Sequence, residues 1–141
     1  MLFVGLVFGG SFGAESVFGQ GGSPAPVRGV IEWSLLSTAN GDLEIPTGAG
    51  SEQTATLILD INKDGVNDFV IGDRNATPSL VWYRREVNGW TKFVIDDTPL
   101  LIEAGGAAFD IDRDGDLDVV EGGDVRSNQI WWWENPHPNF P

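Results

Sequence analysis

Asp110-Ile111-Asp112-Arg113-Asp114-Gly115-Asp116-Leu117-Asp118 sets a carboxylate at every second position and a glycine where a chain must turn sharply. The pattern is that of a loop wrapped around a bound cation. Fifty residues earlier the same device recurs as Asp60-Ile61-Asn62-Lys63-Asp64-Gly65-Val66-Asn67-Asp68. The motif is therefore one copy of a repeating unit, and the chain is predicted to be an array.

The residue types point to calcium. A hard divalent cation takes roughly six to eight oxygens, and in such loops positions 1, 3 and 5 give side-chain oxygens while position 7 gives its backbone carbonyl. In the first loop those ligands are Asp60, Asn62, Asp64 and the carbonyl of Val66, and in the second Asp110, Asp112, Asp114 and the carbonyl of Asp116. Asp68 and Asp118, at position 9, complete each set, giving two predicted Ca2+ sites. Gly65 and Gly115 permit the backbone angle that the turn requires. Lys63 and Arg113 fall between ligands and are expected to point outward. An acidic, solvated turn is the plainer alternative, but two in-register copies argue against it.

The second loop also satisfies the helix-loop-helix calcium pattern, with Glu121 at its last position. Its flanks do not. Residues 107–109 and 119–120 are short apolar runs, and Gly122-Gly123 would break an exiting helix within a turn. In the first copy the residue equivalent to Glu121 is Ile71. Both loops are therefore predicted to join strands, with Glu121 outside the ligand set.

Sliding the sequence by 50 aligns residues 57–82 with 107–132 without a gap, and Asp60, Ile61, Asp64, Gly65, Asp68, Val70, Gly72 and Trp82 recur. Strands are predicted at about residues 55–59, 69–72, 80–85 and 90–95, with Asn88-Gly89 as the hairpin turn between the last two. A four-stranded unit of this size is that of a β-propeller blade, whose two faces are both buried by neighbours; this explains strands such as LVWY and IWWW that lack polar alternation. The small residues 104–108 suit an innermost strand, where blades crowd together. Trp132 aligns with Trp82, so inter-blade core is the expectation for that pair. Trp131 and Trp133 face the other way, and a sugar-stacking platform from them or from Tyr83 is the less favoured alternative.

The fold class is thus all-β, about two four-stranded propeller blades with strand-loop-strand calcium sites. The predicted organisation is a candidate secretory signal over residues 1–14, a flexible linker over 15–29 and a repeat region over 30–141. That region divides into a blade remnant (30–50), a blade (51–98) and an incomplete blade (99–136). The remnant rests on the strand-like VIEWSLL of residues 30–36 and the turn signal Asn40-Gly41-Asp42.

The paired segments DINKDGVNDFVIG and DIDRDGDLDVVEG resemble the calcium-loop repeats called FG-GAP or VCBS repeats, found in integrin-type propellers and many secreted bacterial proteins. The likeness covers about residues 52–136 and implies blades with calcium in a strand-joining loop. The Phe-Gly and Gly-Ala-Pro elements that name the repeat are not cleanly present. The closing Trp131-Trp132-Trp133-Glu134-Asn135-Pro136 is similar to propeller regions of bacterial aldos-2-ulose dehydratase-like proteins, which implies, as an alternative, the propeller part of a lyase or dehydratase whose catalytic residues lie elsewhere. A truncated gene fragment is the third alternative.

Composition bounds what remains. The 141 residues, 41% hydrophobic with six Trp and eight Phe, can build a core. A net charge of −13 argues against nucleic acid or an anionic membrane as partner. Eight of the 21 acidic residues lie in the two loops, so much of the acidity is site chemistry. No cysteine is present, which removes disulfides, thiolate metal sites and a cysteine nucleophile. The apolar residues 2–8 are too short to span a bilayer and precede small residues, as in a secretory leader, although no Lys or Arg comes before Arg28. His137, the sole histidine, is expected on an exposed loop, and no nucleophile elbow, phosphate loop or dinucleotide fingerprint occurs. No catalytic residue is predicted. The expected role is extracellular recognition of a protein or carbohydrate ligand, with self-association or membership of a longer chain covering the open blade.

Overall fold

The structure, a computed structural model, describes residues 32–46 and 52–140. The candidate leader and the linker lie outside the described residues. Seven strands follow in chain order: β1 (Gln53–Leu59), β2 (Asp68–Asp73), β3 (Leu80–Glu86), β4 (Gly89–Asp96), β5 (Ile102–Phe109), β6 (Asp118–Gly123) and β7 (Ile130–Trp133). They form a four-stranded sheet, β1-β2-β3-β4, and a three-stranded sheet, β5-β6-β7, each an antiparallel meander. The fold is all-β with partial propeller-like blades, and among the described residues no helix is long and apolar enough to cross a membrane.

The strands form where β-branched and aromatic residues cluster between turn residues. Register then decides which side chains share a face. Leu57 pairs with Val70, Val70 with Trp82, and Trp82 with Phe93, so these four form one row across the first sheet. In the second sheet the equivalent row is Ala107, Val120 and Trp132, while the alternate row, Ala108, Val119 and Trp133, faces the first sheet. The core lies between the two: Ala55, Leu59, Ile61, Val70, Leu80 and Trp82 from one side, Ile102 and Val119 from the other. Trp82 stacks on Phe93 at 4.8 Å between ring centroids and is met at 5.0 Å by Phe140 from the C-terminal tail. The sheets approach closely at Gly72, where an added Cβ would lie 2.9 Å from the Ile102 side chain. The Thr54 hydroxyl donates to the Ile102 carbonyl at 2.7 Å and ties β1 to β5, the two first strands.

Three expectations are corrected. Trp132 is not core: it lies on the face of the second sheet turned away from the first and is exposed, whereas Trp131 and Trp133 pack toward the interior. The alignment with Trp82 places it on the equivalent face, but among the described residues no further sheet covers that face. The hairpin is shifted by one residue, because Glu86 pairs with Gly89 and leaves Val87-Asn88 as the loop. Only Gly89 there has positive φ (107°), which fits an unprimed turn closed by a glycine bulge and not the Asn-Gly primed turn. Residues 32–36 form no strand: among the described residues they have no ladder partner, and Trp33 and Leu35 stand exposed. The turn that follows is present: the Gly41 amide donates to the Thr38 carbonyl at 3.2 Å, and Asp42 caps the Ser37 amide at 3.0 Å.

Candidate metal centre

Each acidic loop joins the first two strands of its sheet, β1 to β2 and β5 to β6. The two loops share one backbone path. Position 4 is left-handed in both (Lys63 φ 59°, Arg113 φ 67°), as is position 6 (Gly65 φ 85°, Gly115 φ 98°). A left-handed non-glycine residue is uncommon, and its recurrence shows that the path is imposed by the loop and not by local preference.

This path aims amides at carboxylates. In the first loop Asp60 takes the amides of Asp64 and Gly65 at 3.1 and 2.8 Å, and Asp64 takes that of Val66 at 2.8 Å. In the second, Asp110 takes the Gly115 amide at 3.1 Å, Asp112 the Asp114 amide at 3.2 Å, and Asp114 the Asp116 amide at 3.2 Å. Asp110, Asp112 and Asp114 each offer an oxygen within 4.8 Å of the others. Oxygens that share one calcium lie at most about 5 Å apart, twice the bond length, so the spacing fits a hard cation. The buried Oδ1 of Asp110 also has no hydrogen-bond donor, leaving a lone pair for a metal. The first loop differs at its third position. There the Asn62 amide donates to Asp64 at 2.9 Å, so the loop satisfies one of its own carboxylates.

Asp68 and Asp118 also hold backbone amides, and the buried Oδ2 of Asp68 has no hydrogen-bond partner. Both are buried, and their carboxylates strap the loop to the end of the third strand: Asp68 accepts the Arg85 amide at 2.7 Å, and Asp118 accepts the Asn135 amide at 2.9 Å and that of Ile111 at 3.0 Å. Burial pushes the Asp68 carboxyl above its usual range, with the Arg85 amide pulling the other way. Val66 is exposed. The Asp116 side chain is buried, its carboxyl raised by burial and by the neighbouring Asp114 and Asp118 charges, with His137 3.9 Å away. His137 is thus half-buried beside the second loop and not free on a tail. Lys63 is exposed, yet its ammonium reaches toward the second loop, 3.9 Å from where a Cβ on Gly115 would stand.

Two residues escape a reading of the motif. The buried Asn135 side chain donates to the Ile61 carbonyl of the first loop at 3.0 Å and to the Leu117 carbonyl of the second at 3.1 Å, clasping them together. Its only sequence signal is its place at the end of the third strand, where the first repeat has Arg85. Glu121 lies on the inner face of β6 with both oxygens unpartnered, in the space a side chain on Gly106 would fill. Burial pushes its carboxyl up to about 7. Glu103 and Asp124 both meet Arg74, and Asp124 also holds Arg126. Asp96 accepts the Trp133 indole N–H at 3.0 Å.

No curated protein and no solved structure matches the chain. A family model described as FG-GAP-like repeat matches residues 60–121, a span that holds both loops and stops short of residues 131–136, on which the dehydratase resemblance rests. Over that span the chain is similar to the FG-GAP-like repeats.

Proposed function

We propose that the chain is a calcium-stabilised propeller-repeat module that acts outside the cell, where residues 1–14 would direct it, in recognition of a protein or carbohydrate. The convergence of Asp110, Asp112 and Asp114 within 4.8 Å carries the calcium reading. In that reading calcium supplies charge compensation among carboxylates that otherwise repel. The protein does the rest. Gly115 and Arg113 fix the left-handed turns that bring the carboxylates together, and the amides of residues 114–116 hold them in place. Asp118 transmits that order to the Asn135 amide and so to β7. Calcium at millimolar levels is available outside cells to a site of modest affinity.

The test is thermal unfolding in excess chelator and in millimolar calcium. At a hundred times the dissociation constant, one site adds about 2.7 kcal/mol, or on the order of 10 °C for a domain of this size. An unchanged melting temperature overturns the calcium reading. A glycan array probed in calcium tests the recognition reading: saturable binding assigns carbohydrate, and its absence directs the search to protein ligands.

A further inference from the structure

Both polar atoms of the Asn135 side chain are engaged at the joint between the loops. Its Nδ2 donates to the Ile61 carbonyl of the first loop at 3.0 Å and to the Leu117 carbonyl of the second at 3.1 Å, and its Oδ1 accepts the His137 amide at 3.1 Å. The residue is 7% exposed, so water offers little replacement for a bond that is lost. The two carbonyls are placed alike: each belongs to the peptide unit that leads into a predicted ligand, Asn62 in the first loop and Asp118 in the second. The first repeat has Arg85 in the place of Asn135, and its guanidinium lies over the Trp90 ring at 4.8 Å instead. Each loop also keeps a buried carboxylate oxygen without a hydrogen-bond donor, Oδ2 of Asp68 and Oδ1 of Asp110. Asp68 is 1% exposed, with the Asp64 charge close enough to act on it, and buried anionic oxygens of this kind call for a cation.

Two effects act between the loops, and they differ in sign. The Lys63 ammonium, carried by the first loop, lies beside Gly115 and opposes a cation in the second. It is exposed, and salt screens such a charge beyond about 8 Å. The Asn135 clasp is buried and escapes that screening. A loop that closes on a cation fixes the peptide that Asn135 holds, so with one loop closed Asn135 is already in place for the other, and its ordering is not repeated. We propose, resting on the calcium reading above, that the two loops bind calcium as a coupled pair with Asn135 as the coupling residue, occupancy of one raising the affinity of the other about tenfold.

The experiment is a calcium titration of the whole chain, followed in proton–nitrogen spectra at the Gly65 and Gly115 amides, which report the loops one at a time. Asp64→Ala should disable the first loop and weaken the second about tenfold. Asp114→Ala should disable the second and weaken the first by the same factor, because coupling between two sites is reciprocal. Combined with Asn135→Ala, neither substitution should move the affinity of the remaining loop. Circular dichroism checks that Asn135→Ala folds; where it does not, Asn135→Ser, too short to reach both carbonyls, takes its place, and the reciprocal pair reads the coupling with Asn135 intact. If neither amide shifts in millimolar calcium, the calcium reading itself is overturned and the coupling with it. Calcium binding in which each loop ignores the loss of the other, or tightens, overturns the coupling alone, and a coupling that survives loss of the Asn135 side chain overturns the part assigned to that residue.

Discussion

Among the described residues the first repeat is covered and the second exposed, although the same sequence pattern builds both. Trp82 lies between Phe93 and Phe140 with the second sheet above it, while Trp132, in the same register, looks into solvent. The loops differ in the same sense: Asn62 closes the first loop on Asp64, whereas the second offers carboxylates alone. Repetition fixes which way a side chain points. What it meets there depends on a neighbour that the repeat does not itself contain.

The largest test of this contrast is a matched truncation. Leu80→Ala should cost about 3 kcal/mol in urea unfolding, and Ile130→Ala less than about 0.5 kcal/mol at concentrations where the chain is a monomer. Equal losses would mean that the two repeats are equally packed.

Glu121 sharpens the contrast from the inside, because the first repeat has Ile71 at its place. Burial raises this carboxyl from 4.5 to about 7 in the folded chain, so between those values the folded state binds more protons than the unfolded state. Stability should fall as pH rises through that window and level off above it. Glu121→Ile should remove that part of the pH dependence and raise stability at pH 8 by about 3 kcal/mol relative to the parent. A parent and variant with parallel pH profiles would show that Glu121 finds a partner in solution.

A smaller effect is expected at the loops if the proposed calcium sites hold. Asn62→Asp makes the first loop match the second in charge at positions 1, 3 and 5 and should tighten its calcium binding about tenfold, and Asp112→Asn should weaken the second by a similar factor. Titration calorimetry reads both, and unchanged affinities would separate charge from site strength. The smallest effect belongs to the shared turn. An Ala at Gly65 meets no atom within 4 Å, so Gly65→Ala should cost only the left-handed backbone penalty of about 1 kcal/mol, with Gly115→Ala the same to within error.

Much of this architecture was legible because it is local. β-Branched and aromatic content between turn signals marked β1 to β4 to within two residues, and the glycine at position 6 of each loop has the positive φ expected of it. The second sheet has three strands among the described residues. What escaped is non-local. Nothing in the spacing says that one oxygen of Asp68 and one of Asp118 hold strand-end amides, or that Asn135 reaches a carbonyl 74 residues away. Glu121 at a core position breaks the pattern of its own strand, and only the packing of the sheets reveals it. The Val87-Asn88 loop escaped for a subtler reason: Asn-Gly suits two kinds of turn, and the choice between them lies in the register of the flanking strands.

The Asn135 amide holds a carbonyl of each loop and its backbone amide holds Asp118, so one side chain gates the release of both turns. In kinetic terms, the loops should not breathe independently. Hydrogen exchange at the Gly65 and Gly115 amides, one in each loop, would then report a single opening event with a common free energy, and Asn135→Ala would split it into two. A repeat protein whose neighbouring units exchange as one has, at that joint, given up the modularity that its sequence advertises.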